Sequence, residues 1–353
     1  MAGFNHGYVD MKQDLPIWRA LWREPEGAVP NVLALGYAVF GHLFGLILLV
    51  KPGILSGIAG LLLTFHTLVI CAYLVHEAAH MTLFRSQRLN RGVGEILLWL
   101  TGAAYASFAR VRHLHIRHHR DRADVACFDY QTFLQLSPRW VVGLVYGLER
   151  VYIPAVELIM HYQVLVRPFV VPHLKQHRAR VLIILATRLA LFALLFSYSP
   201  WALVGYALAY MLFIQALFIA DAFAHTYESY LVAQADQPVP QEGRDRAYDV
   251  AHTYSNLIST RFPWLNLLNL NFGYHTAHHE QVATPWYRLP QLHRELYGEN
   301  GHPQILPYHE LWQTLHRNRL RRIETDDYGD VGQGPGRADG FIGAHGVSFL
   351  SIV

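Results

Sequence analysis

Four apolar runs, each about as long as a lipid bilayer is thick, constrain the fold of this chain more than any other feature. A membrane-spanning helix needs about 20 consecutive apolar residues, and the runs occupy residues 31–50, 54–75, 181–198 and 201–223. Only 16% of the 353 residues are charged, and 52% are hydrophobic, which agrees with a membrane protein rather than a soluble one. The sequence therefore predicts an all-α integral membrane protein with four transmembrane helices.

Short connections divide the four runs into two pairs, joined at Lys51-Pro52-Gly53 and at Ser199-Pro200. Turns this short predict two helical hairpins. Three long polar stretches then share one side of the membrane, namely 1–30, 76–180 and 224–353. They hold every Lys and Arg of the chain except Lys51 and Arg188. By the positive-inside rule, we expect both termini and the large polar part, a helical cap on the spans, on the cytoplasmic side.

The sequence divides into three segments: an amphipathic N-terminal segment (1–30), a membrane domain (31–325) and a loose, Gly-rich tail (326–353). We expect a short helix over 15–23 at the membrane surface. Residues 93–108 are apolar but too short for a normal span, so a re-entrant or interfacial segment is expected there. Residues 141–162 carry three charges and predict an amphipathic helix on the membrane plane. The N-terminus lacks the apolar core of a signal peptide, so the spans themselves are expected to target the chain.

Histidine is the second unusual feature, with 22 copies, of which eight stand in three clusters. The clusters are His76-Glu-Ala-Ala-His80, His115-Ile-Arg-His118-His119 and His275-Thr-Ala-His278-His279. In a helix, residues at i, i+3 and i+4 lie on one face. All three clusters fall on the same predicted side of the membrane, just outside the spans, so their imidazoles can meet.

A ninth histidine, His225, follows the fourth span, four residues after Asp221. If the helix continues, both side chains lie on one face. An aspartate at the end of a membrane helix needs a polar partner. Asp221 is therefore a candidate catalytic residue that hydrogen-bonds a ligand imidazole or a bound water.

A set of eight or nine imidazoles suits zinc, copper or iron, and it exceeds the four ligands of one zinc. Two metals with open positions for oxygen fit better. The two cysteines, Cys71 and Cys127, have no metal-binding spacing. The chain also has no basic block interleaved with aromatics, so nucleic acid is not an expected partner. Other histidines, among them His42, His66, His113 and His252, are interpreted as ordinary helix or surface residues.

The three clusters and their surroundings, HEAAHMTLFRSQRLNR, RVRHLHIRHH and NFGYHTAHHEQVATPWYRLPQLHREL, resemble the membrane fatty acid desaturase/hydroxylase superfamily. The resemblance implies a non-haem di-iron centre with His76, His80, His115, His118, His119, His275, His278 and His279 as iron ligands. His225 matches a ninth ligand of stearoyl-type relatives, in which asparagine stands where this chain has Asp221. The fused cytochrome b5 module of some relatives is not seen.

The resemblance implies an O2-dependent oxidation of an unactivated C–H bond in a fatty acid or fatty acyl chain, with desaturation as the leading reaction. Electrons would come from a separate donor of ferredoxin, rubredoxin or cytochrome b5 type, since the chain has no flavin or dinucleotide motif. A 1-alkene-forming fatty acid decarboxylase and an alkyl or carotenoid hydroxylase remain open, because the same ligands serve all three. A metal transporter fits less well, since transport ligands lie in the middle of spans.

Overall fold

The computed structural model describes residues 16–102, 104–126, 129–227, 229–231, 242–298, 304–325, 327–332 and 336–345. The first half of the predicted N-terminal segment, residues 1–15, and the end of the tail at 346–353 lie outside these described residues.

The described chain is almost entirely helical. The first five helices are α1 (Ile17–Ala20), α2 (Pro25–Val50), α3 (Ile54–Ala79), α4 (Gln87–Thr101) and α5 (Phe108–Asp121). Strand β1 (Asp124–Ala126) precedes α6 (Tyr130–Leu136), α7 (Arg139–Arg150), α8 (Ala155–Val170), α9 (Pro172–Tyr198) and α10 (Pro200–Ala222). Strand β2 (Ser229–Leu231) precedes α11 (Arg246–His252), α12 (His275–Glu280), α13 (Leu289–Tyr297), α14 (Tyr308–Asn318) and α15 (Arg321–Glu324). The two strands pair in parallel, and 3-10 helices occupy Pro263–Asn269 and Arg337–Gly340.

Four helices, α2, α3, α9 and α10, are long and apolar enough to cross a membrane, which confirms the four predicted spans. Two of them begin several residues before their apolar runs, at Pro25 and Pro172. Proline is tolerated in the first turn of a helix because its missing N–H would have no partner there. Polar flanking residues therefore extend both helices beyond the apolar windows.

Helix α3 lies at the centre of the four spans, with α2, α4 and α10 packed against it. Its contact with α2 is close: a Cβ on Gly60 would lie 2.7 Å from the backbone nitrogen of Leu49. Small residues at such contacts let membrane helices approach closely, because packing rather than the hydrophobic effect holds them together. The cytoplasm-facing end predicted for α3 carries the first histidine cluster.

Two segments outside the spans differ from the sequence-based expectations. Helix α1 ends at Ala20 because Trp22 pairs with Phe84 in an isolated β-bridge, so the surface helix expected over 15–23 is shorter. Residues 141–162 form parts of two helices, α7 and α8, rather than one. Pro154 breaks them, since proline disfavours the helical conformation in the residue before it.

The segment that was expected to be a loose tail is packed where the structure describes it. Phe341 is fully buried, with its ring edge-to-face on Phe223 at 5.2 Å. The backbone N–H of Ala344 donates to the carbonyl of Ala222 at 2.7 Å, at the end of α10. The apolar residues within this Gly-rich segment cover the end of a span. The overall composition of the segment did not indicate this packing. The three segment boundaries stay predictions.

We predict that Phe341→Ala destabilises the protein by about 3–5 kcal/mol, because it removes a fully buried ring from the core. Thermal unfolding in detergent should show a clearly lower midpoint than the parent. Phe262→Ala is the matched control, since that ring is 46% exposed. Equal midpoints for the parent and Phe341→Ala would contradict a packed tail.

Candidate metal centre

The structure brings all nine predicted histidines into two adjacent groups. The first group contains His76, His80, His115, His119 and His278. The second contains His118, His225, His275 and His279. Within each group, one ring nitrogen per residue lies within 4.8 Å of the others. Each group is therefore large enough to hold one metal ion.

The helices divide their histidines between the two groups in a regular way. Within α5, His115 and His119 stand one turn apart and join the first group, whereas His118 joins the second. Within α12, His275 and His279 join the second group, whereas His278 joins the first. Residues four apart lie nearly above one another on a helix, and the third side chain diverges. Two short helices therefore link the groups to each other.

The histidines of each group point their Nε2 atoms towards a common centre. In the first group, the Nε2 of His115 lies 2.7 Å from that of His80 and 3.1 Å from that of His119. In the second, the Nε2 of His225 lies 2.9 Å from that of His275 and 3.2 Å from that of His118. A neutral imidazole has one N–H, so these rings cannot all satisfy each other. A cation that accepts several nitrogen lone pairs fits both centres.

Outward contacts on the opposite ring nitrogen agree with this orientation. The Nδ1 of His118 lies 2.9 Å from the carbonyl oxygen of Ala123, and that of His279 lies 3.1 Å from Asp249. The Nε2 of His279 is buried and has no hydrogen-bond partner among the described residues. Metal-binding histidines commonly donate their other N–H to a carbonyl or carboxylate. The orphaned nitrogen is the one that would bind the metal.

Burial keeps these imidazoles neutral. Desolvation, reinforced by the charges of neighbouring imidazoles, holds the pKa well below its usual value for His80, His115, His119, His225, His275, His278 and His279. Burial also lowers the pKa of His118, although the Ala123 carbonyl opposes this shift. At neutral pH the rings therefore carry the lone pairs that a metal requires.

The sequence analysis missed Asp249, which lies in α11 within a stretch interpreted as a polar loop. Its carboxylate accepts hydrogen bonds from the Tyr227 hydroxyl, from Thr253 Oγ1 at 3.2 Å and from His279 Nδ1 at 3.1 Å. An ion pair with Arg122 at 3.4 Å completes its partners. Asp249 therefore fixes the orientation and tautomer of His279. The sequence position of Asp249, one helical turn before Thr253, does not indicate a role at the metal centre, because no regular spacing relates it to the histidine clusters.

Asp221 and His225 do not share a helical face, because α10 ends at Ala222. His225 instead pairs with Thr253 in an isolated β-bridge, which turns its imidazole into the second group. Asp221 interacts electrostatically with Tyr308: burial, together with the carboxylate of Asp221, raises the pKa of Tyr308 to about 12. The catalytic role of Asp221 stays a prediction.

Four other histidines lie outside both groups, as expected. His42 contacts Thr67 Oγ1 at 3.4 Å inside the span pair α2 and α3, and His113 is exposed. His66 contacts the carbonyl oxygen of Leu268 at 3.0 Å, and His252 contacts its own helix, at the carbonyl oxygen of Tyr248. These contacts satisfy each ring locally, so helix or surface roles suffice.

We predict that Asp249→Asn weakens metal binding by about 10- to 100-fold, because His279 loses the charged acceptor that orients it. Asp245→Asn is the matched control in the same region: Asp245 caps α11 by accepting from Tyr248 N, and asparagine caps equally well. Metal affinities measured by competition with a chelator would test this. Equal affinity in Asp249→Asn and Asp245→Asn would remove the assigned role.

Comparison with known proteins agrees with this geometry. The family model described as "Fatty acid desaturase" matches residues 52–312, which is more than half of the chain and contains all nine histidines. No curated protein and no solved structure matches the chain. A family match of this extent, on a chain with four spans and two histidine groups, identifies an oxidoreductase of a membrane lipid-acting family. The chain belongs to the fatty acid desaturase family.

Proposed function

We propose that this protein is an O2-dependent di-iron enzyme that oxidises an unactivated C–H bond of a fatty acid or fatty acyl chain, with desaturation as its reaction. The observation that carries the proposal is the sorting of nine histidines into two adjacent groups, each sufficient for one metal ion. The family match supplies the class of substrate. The two together favour a pair of redox-active metals over one structural zinc, which is redox-inert.

The first iron would bind to His76, His80, His115, His119 and His278, and the second to His118, His225, His275 and His279. Bound iron would supply, together with O2, the oxidant that removes hydrogen from a methylene group. The protein keeps the ring nitrogens unprotonated, orients them through contacts such as Asp249–His279, and excludes water by burial.

Desaturation needs more than the substrate and O2. The balanced reaction converts –CH2–CH2–, O2, two electrons and two protons into –CH=CH– and two waters. No flavin or dinucleotide motif occurs in this sequence, so a separate donor protein of ferredoxin, rubredoxin or cytochrome b5 type would supply the electrons. The distribution of Lys and Arg supports a cytoplasmic centre and cytoplasmic termini, where such donors are available.

The acyl chain would reach the centre along the bilayer side, where aromatic side chains line the histidines. The ring of Phe272 lies 5.0 Å from that of His76 and 4.8 Å from that of His275. Tyr73, one turn before His76 on α3, packs on Phe272 at 4.8 Å. These rings form an apolar wall between the histidine groups and the spans. A methylene chain against this wall would lie beside the metals and displace water from them.

Hydroxylation and 1-alkene-forming decarboxylation use the same nine donors and differ in where the substrate lies. Which carbon stands beside the oxidant decides among the three reactions. Transport of metal is less well supported, because His76 lies in the last turn of α3, His80 follows its last residue, and the other seven candidate ligands lie outside the spans.

We predict two irons per chain and an oxidised fatty product. His279→Ala should abolish turnover, since it removes a buried donor of the second group, whereas His309→Ala, at an exposed position, should leave turnover unchanged. Elemental analysis of active protein, with mass spectrometry of lipids and headspace volatiles from expressing cells, measures both. One zinc with no iron, or full activity in His279→Ala, would refute the proposal.

We predict that Asp221→Asn is milder than His225→Ala, because His225 would bind iron directly and Asp221 would act through a neighbour. Loss of an indirect contact typically lowers metal affinity or activity 10- to 100-fold. Metal content and turnover should be measured together for both variants. Normal iron content and turnover in His225→Ala would remove the ninth ligand. Parental behaviour of both Asp221→Asn and Asp221→Ala would remove the role of Asp221.

A further inference from the structure

A buried arginine outside the metal centre has no hydrogen-bond partner for its charge. Arg322, in α15, is only 1% exposed, and its Nε and both terminal guanidinium nitrogens are unpartnered among the described residues. The guanidinium instead lies over two aromatic rings, 5.0 Å from that of Phe218 and 5.3 Å from that of Phe223. Such stacking leaves the N–H edge available, and an unpaired buried cation is strongly unfavourable. The arrangement calls for an anionic or polar partner.

Two neighbouring side chains also present unpartnered polar atoms. Glu157 and His345 contact each other through Oε1 and Nδ1 at 3.1 Å, and both are buried. Their other polar atoms, Glu157 Oε2 and His345 Nε2, have no partner in the described part of the chain. The ring of His345 stacks on Phe218 at 5.2 Å, on the same residue that contacts Arg322. We call Arg322, Glu157, His345, Phe218 and Phe223 the Arg322 cluster.

The acids around Arg322 do not hydrogen-bond its guanidinium, although the charges of Glu157 and Glu149 favour its protonated form. Burial lowers the pKa of Arg322 to about 10, so its guanidinium stays protonated at neutral pH. Glu157 has His345 as its direct partner. Burial also raises the pKa of Glu149, the second acid that acts on Arg322, to about 7, which removes part of its negative charge at neutral pH. The unpartnered N–H groups of this protonated guanidinium favour a hydrogen-bond acceptor such as a carboxylate beside Arg322 over a further cation.

The Arg322 cluster adjoins the candidate metal centre through the end of α10. Phe223 follows the last residue of that helix and stands two residues before His225. Asp221, in the last turn, interacts electrostatically with Glu157 of the cluster and with Tyr308. A ligand whose anionic end lies at Arg322 would therefore have its first carbons against Phe218 and Phe223, at the cytoplasmic end of a span, with the histidines close by.

We propose that Arg322 binds the carboxylate of a free fatty acid, with Phe218 and Phe223 against the first carbons of its chain. This inference rests on the proposed function and specifies its substrate class: a free acid rather than a thioester or a phospholipid ester. A planar guanidinium binds a carboxylate through two parallel hydrogen bonds, which fixes orientation as well as charge. An ester or thioester lacks the second anionic oxygen and would leave the buried cation unpaired.

The test is a comparison of direct binding by the iron-loaded protein in detergent, without reductant, using radiolabelled dodecanoic acid and dodecanol. Arg322→Met should weaken binding of the acid about 10- to 100-fold, the usual effect of a lost charge-assisted hydrogen bond, and leave the alcohol unchanged. Methionine keeps an unbranched, flexible stem beside the two rings, and replacing a buried charge with an apolar side chain is often tolerated. Arg321→Met, at the adjacent exposed position, is the matched control and should behave as the parent.

Arg322→Lys gives a second measurement should Arg322→Met fail to fold or to hold its iron. It keeps the positive charge but not the paired donors, so the acid should bind more weakly than in the parent while the alcohol does not change. Acetate, added as a competitor, should not displace dodecanoic acid at comparable concentrations.

Three results would overturn the proposal. The first is parental binding of the acid in Arg322→Met or, where that variant does not fold, in Arg322→Lys. The others are equal affinity of the parent for acid and alcohol, and displacement of the bound acid by acetate as effectively as by unlabelled fatty acid. Failure of the proposed function is separate. A parent that oxidises neither free acids nor acyl esters would refute the oxidation, whereas the binding comparison judges Arg322 alone.

Discussion

Convergence of nine neutral imidazoles on two adjacent centres is the constraint on which the rest of this structure depends. Burying so many ring nitrogens without partners would be unfavourable, and buried polar groups are normally satisfied. Metal binding converts this burial into a stabilising interaction. Because the candidate ligands come from α3, α5, α12 and the segment after α10, bound metals would tie α5 and α12 to the spans.

The membrane spans supply the rigid base for this centre. Helix α3 is the most enclosed of the four and carries His76 within its last turn. The close contact between α2 and α3 at Gly60 fixes the position of α3 along α2. Around this base, outer contacts such as Asp249–His279 and Thr253–His225 orient individual rings. The spans thus position the histidine backbone, whereas polar neighbours from other parts of the chain orient the individual imidazole rings.

The sequence predicted those features that depend on local spacing. Apolar run length predicted four spans, and four long apolar helices are present. The i, i+3, i+4 spacing selected the histidine clusters, and the structure brings these side chains together, although it divides each three-histidine cluster between the two groups. Features set by distant contacts were missed. Asp249 reaches His279 across 30 residues, and nothing in either neighbourhood indicates the pairing. The assumed continuation of α10 to His225 does not occur, because Ala344 and Asn256 bind the carbonyls of Ala222 and Phe223 from elsewhere in the chain.

Helices α5 and α12 each carry histidines of both groups, and this has a consequence for the order in which metal ions bind. His118 belongs to one centre while its neighbours on α5 belong to the other, and His278 does the same on α12. An ion bound in either centre would therefore fix a helix that also carries ligands of the other. The two ions should load cooperatively, so that the half-filled protein is a minor species at every iron concentration. An organism that makes this protein under iron shortage would then hold a mixture of complete and empty molecules rather than a uniform pool of half-assembled ones.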